Sequence, residues 1–270
     1  MDRSLGGPSK LRPWPFFLDK WYVDVLLPGG DVLIAYVARL RLLGRPVGRF
    51  VCLWFPAGGP TVRVTGTTGA ARFHASPAGP PPSELRLSWD LPGLAGDIRL
   101  VSRWPSISTA GPIAEAGGRS LHWHAHMPDA EATGVLRVAG RNLTIEGRGY
   151  VDRVRSDLLP WRFPVRAVRW GRAAGGQHAS MWLSVDVDGG SVSLDWLDGQ
   201  VGPEGAARPQ VLERRLLADE VVVRGSTLEL GAWRVLLRPW FGDLRQQRWA
   251  ARAELAGSPV RAVLEHAEFG

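Results

Sequence analysis

Apolar and polar positions alternate with a period of two along most of the chain, and the 3.6-residue period of an amphipathic helix is scarce. Strand-like runs occupy residues 20–27, 31–43, 47–55, 97–103, 119–127 and 163–170. The same habit returns at 180–187, 191–197, 219–224, 226–238, 247–255 and 259–268, so the pattern predicts an almost all-β protein. Pro28-Gly29-Gly30-Asp31 and Asp188-Gly189-Gly190 each lie between two such runs. They predict hairpins, because glycine accepts the positive φ that tight turns require. Many short antiparallel strands must close or stack in pairs to avoid open edges, which points to two barrels or sandwiches.

Proline cannot serve a central strand, so the proline-rich stretch 76–83 is expected to be an exposed loop. The better boundary lies near 156–162, dividing the chain into residues 1–158 and 159–270. Trp21 followed by Gly29-Gly30, and Trp170 followed by Gly175-Gly176, suggest that both halves open with a Trp-containing strand and a Gly-Gly connection.

Composition narrows the class. Over 270 residues, 45% apolar and 22% charged content is ordinary for a globular chain and excludes a disordered or fibrous one. No apolar run reaches the roughly 18 residues of a transmembrane helix, and the first residues show no secretory signal pattern, so a cytoplasmic protein is expected. The single cysteine, Cys52, excludes an internal disulfide and a thiolate metal cluster within the chain, and its apolar neighbours predict a buried, inert thiol. The net charge is +7, with Lys10 and Lys20 the only lysines. Seven arginines between Arg148 and Arg172 are spaced singly among apolar residues, a pattern of a solvated sheet face and not of a nucleic-acid-binding run. That arginine content also allows peripheral contact with an anionic membrane surface, or a diphosphate-bearing ligand. Thirteen tryptophans against three tyrosines and eight phenylalanines would fill two β cores, and some could line a cavity for an elongated apolar ligand.

Two constellations could carry chemistry. His122, His124 and His126 alternate with Leu121, Trp123, Ala125 and Met127, so on a strand the imidazoles share one face and the apolar set the other. They read as a solvent-facing polar side, as polar groups lining a cavity, or as a pair of metal ligands helped by Asp129 or Glu131. In Gly147-Arg148-Gly149-Tyr150-Val151-Asp152-Arg153, an extended backbone puts the Tyr150 phenol and the Asp152 carboxyl on one face. A carboxyl in an apolar aromatic cavity is kept protonated by desolvation and can act as a general acid; a surface Asp-Arg pair at a strand end is the alternative. Nucleophile-elbow, Walker, dinucleotide and zincin motifs are all missing.

These residues carry a resemblance. Trp21-Tyr22-Val23-Asp24 leading into a Pro-Gly-Gly-Asp hairpin, then His122-Trp123, Gly147 to Asp152, and Trp170-Gly171-Arg172, resemble the carotenoid 1,2-hydratase (hydroxyneurosporene synthase) family and its lipocalin-like relatives, in order and rough spacing across residues 18–172. Lys20 stands where that family usually has a tryptophan, and Val151 and Arg153 replace two motif histidines. The resemblance implies two lipocalin-like β-barrel domains in tandem, without cofactor or metal, around a cavity for an isoprenoid or polyene. It implies Asp152 as the acid that protonates a C=C bond, giving hydration or cyclisation, with Tyr150 and His122 or His124 positioning it. Trp123, Trp21, Tyr22 and Trp170 would line the substrate site and stabilise a cation. A pericyclase that folds a linear polyene, as in related Diels–Alder cyclases, and a non-enzymatic lipid or pigment carrier are the competing expectations.

Overall fold

The computed structural model describes residues 16–42, 45–75, 83–159, 163–223, 227–230, 233–236 and 244–269. Its strands are β1 (Phe16–Leu26), β2 (Val32–Leu42), β3 (Arg45–Phe55), β4 (Val62–Gly66), β5 (Ala71–Ala75), β6 (Glu84–Leu91), β7 (Leu94–Ser102), β8 (Ile107–Ser108), β9 (Ala114–Ala116), β10 (Arg119–Val138) and β11 (Arg141–Ser156). They continue with β12 (Val165–Gly175), β13 (His178–Val187), β14 (Gly190–Leu197), β15 (Gln200–Gly202), β16 (Gln210–Val223), β17 (Thr227–Leu230), β18 (Trp233–Leu236), β19 (Leu244–Leu255) and β20 (Ser258–Phe269). Among the described residues there is no α-helix, and hence none long and apolar enough to cross a membrane. The protein is all-β, as the period-two pattern predicts.

The first sheet runs in the order β4-β3-β2-β1-β11-β10-β7-β6-β5, with β8 and β9 pairing to β10, and every pairing is antiparallel. Its edge strands β4 and β5 are consecutive in sequence and joined by one 3-10 turn, Thr68–Ala70, so the sheet curls into a nearly closed barrel. The second sheet, β15-β14-β13-β12-β20-β19-β16, repeats the plan: its first strand pairs with its last and its edges are consecutive. The Trp-strand followed by a Gly-Gly turn therefore opens each sheet, at β1 and at β12. Gly30, at φ +93°, donates its amide to Leu27 O at 2.9 Å and closes the first of these hairpins.

Alternation along β1, β2 and β11 separates two cores. Val23, Val25, Phe50, Ile98 and Val151 fill the barrel interior, together with Cys52, whose thiol burial pushes well above its ordinary range. Tyr22, Ile34, Trp123 and Tyr150 point the other way and meet Trp170, Met181 and Val263 of the second sheet. Each β11 residue thus serves one core or the other.

Some expectations need correction. The run at 226–238 is a hairpin, β17–β18, instead of one strand. The short strands β4, β5 and β6 were not anticipated. The proline-rich loop at 76–83 lies outside the described residues except for Ser83. Of the arginines from 148 to 172, Arg155, Arg166 and Arg169 are exposed as a solvated face requires, whereas Arg148 and Arg153 are largely covered and Arg172 is buried, each bound to a carboxylate.

Phe50 is fully buried in the barrel, its ring centroid 5.8 Å from that of Trp89. Phe50→Ala is expected to cost about 3–5 kcal/mol of unfolding free energy in denaturant titration, because the barrel wall cannot collapse into the void.

Candidate functional site

The site lies where the first sheet faces the second. Register fixes the rungs: Lys20 opposes Val154, Tyr22 opposes Asp152, and Asp24 opposes Tyr150 across β1 and β11. Tyr36 of β2 opposes Tyr22, and on β10 Trp123 opposes Val154 while Ala125 opposes Asp152. Directly opposed residues share a face, so Lys20, Tyr22, Asp24, Tyr36, Trp123, Tyr150 and Asp152 all look toward the second sheet. That sheet answers with Glu265 opposite Trp170, and Val263 opposite Arg172, across β12 and β20, and with Arg248 of β19 opposite Glu265.

Asp152 is 7% exposed. Trp123 Nε1 donates to its Oδ2 at 3.1 Å and the Tyr150 hydroxyl donates to the same Oδ2 at 3.0 Å. Tyr150 is itself held by Trp170, whose Nε1 donates to the phenol oxygen at 3.3 Å. Burial drives the Asp152 carboxyl up to about 7, against the opposing pull of Lys20 and of the two hydrogen bonds. Among the described residues both donors to Asp152 fall on Oδ2 and none on Oδ1. The aromatic wall is continuous, with ring centroids 5.3 Å apart for Tyr22 and Trp170, 5.1 Å for Tyr150 and Trp170, and 6.0 Å for Tyr22 and Tyr150.

The Trp170-Gly171-Arg172 string now has a physical account. Trp170 supports Tyr150. Gly171 presents no side chain to the opposite face, where the Trp182 ring lies so close that a Cβ would sit 2.2 Å from it. Arg172 crosses to the first sheet, donating from Nε to Asp24 Oδ1 at 2.7 Å and from Nη2 to the same oxygen, with both side chains at most 1% exposed. Arg172 Nη2 also donates to the carbonyl of Arg148 at 2.8 Å, and Arg148 in turn binds Asp129.

Of the residues expected from sequence, the structure brings Asp152, Tyr150, Trp123, Tyr22 and Trp170 together. His122, His124 and Trp21 are not among them. The same alternation that aims Trp123 at Asp152 turns His122 outward, exposed and 2.8 Å from Ser120 Oγ, and turns His124 to the barrel-interior face. There His124 and His126 rings lie 4.0 Å apart and Trp21 packs on His126 at 4.5 Å. Burial drives the His126 imidazole down to about 3, with His124 and Arg153 adding to the effect. Among the described residues no three His, Cys, Asp or Glu side chains converge as a metal site. Arg153 also diverges from its neighbour Asp152: it binds Asp19 through two 2.7 Å contacts and lies 4.8 Å over Trp21. The sequence reading gave no role to Lys20, Asp24, Tyr36, Arg172, Arg248 or Glu265.

No protein family model and no curated protein matches the sequence. Solved structures do match, at identities where the likeness speaks to the fold alone. A Nitrosomonas europaea protein provisionally named AttH aligns at TM-score 0.57 and 14% identity over 93% of this chain and 92% of its own. CghA, also solved with Sch210972, aligns at TM-score 0.56 and 13% identity over 94% and 88%. Kievitone hydratase from Nectria haematococca aligns at TM-score 0.53 and 11% identity over 94% and 89%. The chain shares a two-sheet, lipocalin-like architecture with these proteins over nearly its whole length.

Two measurements test the site. Arg172→Met leaves Asp24 buried without its cation and is expected to lose about 3–5 kcal/mol of stability, whereas Asp24→Leu combined with Arg172→Met recovers most of it. For Asp152, an unfolded carboxyl ionises near its ordinary 3.8 while the folded one holds its proton to about 7. Wild-type stability therefore falls as pH rises through that window, and non-titrating Asp152→Asn does not share the fall. Urea titrations at pH 4 and pH 8 should show the variant gaining on the wild type by about 2–4 kcal/mol, the free-energy equivalent of a shift of this size.

Proposed function

We propose that this protein is a hydratase or cyclase that protonates a carbon–carbon double bond of a hydrophobic isoprenoid or polyene, with Asp152 as the general acid. The carrying observation is a buried carboxyl, raised by desolvation to about 7 and held through one oxygen by Trp123 and Tyr150. At neutral pH such a group exists in both forms, which suits an acid that must give up a proton and take one back. The name of kievitone hydratase, which shares the fold, is consistent with water addition as one outcome.

In the first step the Asp152 Oδ1–H bond breaks and the substrate's π pair forms the new C–H bond. The neighbouring carbon is left cationic and Asp152 ionised. The faces of Tyr22, Tyr150 and Trp170 offer negative quadrupole density to that cation, and exclusion of bulk water prolongs its life. Capture by water followed by proton return to Asp152 gives hydration; capture by a second double bond followed by the same proton return gives cyclisation. Neither step requires a cofactor. His122 and His124 have no part in it, because their strand turns them away.

The test is incubation of wild type and Asp152→Asn with geranylgeranyl-type isoprenoids, acyclic carotenoids and linear polyenes in deuterated water, read by mass spectrometry. The expected result is a product carrying one non-exchangeable deuterium, formed at least about a hundredfold more slowly by the variant, in line with the usual contribution of a general acid. A product free of deuterium and made equally well by Asp152→Asn would replace this reading with a pericyclic one. Stoichiometric recovery of unchanged ligand would replace it with a carrier.

A further inference from the structure

Lys20 is one of two lysines in a chain whose positive charge is otherwise arginine, and it lies on the face of β1 that looks toward the second sheet. It is diagonal to Asp152 across the β1–β11 ladder, a placement that separates the two Cβ atoms by less than about 8 Å. Its half-buried ammonium sits 4.6 Å from the centroid of the Tyr36 ring, and no carboxylate oxygen lies within ion-pair distance among the described residues. Burial lowers its pKa, as expected for an ammonium lacking a close counter-ion.

The nearby carboxylate is already committed. Glu265 Oε2 accepts from Arg248 Nε at 2.9 Å and from Arg248 Nη2 at 2.7 Å, while Gln246 donates to Oε1. Arg248 Nη2 also reaches the Tyr36 hydroxyl, tying the second sheet to the first beside Lys20. Arg248 and Glu265 cancel, which leaves Lys20 and Asp152. Whenever Asp152 carries the proton it needs as an acid, the corner holds one positive charge in excess. Proton transfer turns Asp152 into a carboxylate as it creates the carbocation, so the same single positive excess persists through the step in a poorly solvated space unless the substrate brings a negative charge of its own.

We propose that Lys20 binds an anionic oxygen head group on the substrate, so that the substrate class is an apolar unsaturated chain ending in a carboxylate or a phosphate, with the reacting double bond a few bonds from that head. The inference rests on the reading of Asp152 as the acid. The anion restores neutrality in the corner and anchors the chain, and its tail then runs along the Tyr22, Tyr150 and Trp170 faces. The Lys20 donors supply charge-assisted hydrogen bonds where water is mostly excluded. Lysine suits this as a compact point charge whose four-carbon stem reaches over Tyr36.

The experiment compares four molecules with one tail: farnesoic acid, farnesyl phosphate, methyl farnesoate and farnesol. Binding is followed by tryptophan fluorescence and calorimetry on wild type, Lys20→Met, Lys20→Arg and Asp152→Asn. Wild type should bind the acid or the phosphate at least about tenfold more tightly than the neutral pair, which is the equilibrium equivalent of one charge-assisted hydrogen bond. The preferred anion identifies the head group. Lys20→Met should erase that preference while leaving affinity for farnesol within about twofold, and Lys20→Arg should retain part of it. Asp152→Asn should keep the preference, so a head-group effect without deuterium-labelled product would retire the acid mechanism and leave Lys20 standing. Equal affinity for all four molecules, no binding of any, or a preference that survives Lys20→Met would overturn the proposal.

Discussion

An ionic group trapped between two β-sheets must find a partner there or remain desolvated and unpaired, and that constraint organises this molecule. Asp24 on β1 and Arg172 on β12 meet this requirement across the seam, 148 residues apart in sequence. A buried pair of this kind adds little net stability over an apolar pair of equal volume. Its effect is selective. Sliding one sheet against the other by a single rung would strand both charges, so the pair fixes how the apolar faces meet. Arg172 then reaches the Arg148 carbonyl and Arg148 reaches Asp129, extending the fixed register along one edge of the site.

The same scarcity of water acts two rungs away. Tyr150 opposes Asp24, and Asp152 opposes Tyr22, so the docking that buries the ion pair also buries the carboxyl. Asp24 has a guanidinium within bonding distance whereas Asp152 has an indole N–H and a phenol. Burial raises both carboxyls, but Asp24 has a bonded guanidinium pulling it back down whereas Asp152 is driven up to about 7. Two acids two positions apart on the paired ladder are set apart by their partners.

Much of this was legible in the sequence because period two is a geometric instruction. It gave the β class, the hairpins at Gly29-Gly30 and Gly189-Gly190, and the shared face of Tyr150 and Asp152. It also contained the answer on the histidines: if Trp123 faces the acid, His122 and His124 cannot. Attaching them to Asp152 set aside the alternation that had placed Tyr150 beside it. The short strands β4 to β6 carry the same alternation, clearest in ELRLSWDL of β6, but two of them span only five residues, too few for the period to stand out. The ion pairs Asp24–Arg172 and Arg248–Glu265 had no local signature, since cross-sheet partners and cross-strand bonds are made by topology. Lys20 did leave a signal, a lysine where arginine is the habit of the chain, within a strand otherwise rich in apolar residues.

Both hydrogen bonds to Asp152 end on Oδ2, from Trp123 on one side and Tyr150 on the other. Tyr150 is held in turn by Trp170 and both donors are buried in the packed seam, so the two oxygens of this carboxyl are distinct before any substrate arrives. Under the acid role proposed for Asp152, the proton would leave from the unbonded Oδ1, and the face of a trigonal carbon that receives it would be set jointly by that fixed oxygen and by how the chain is held.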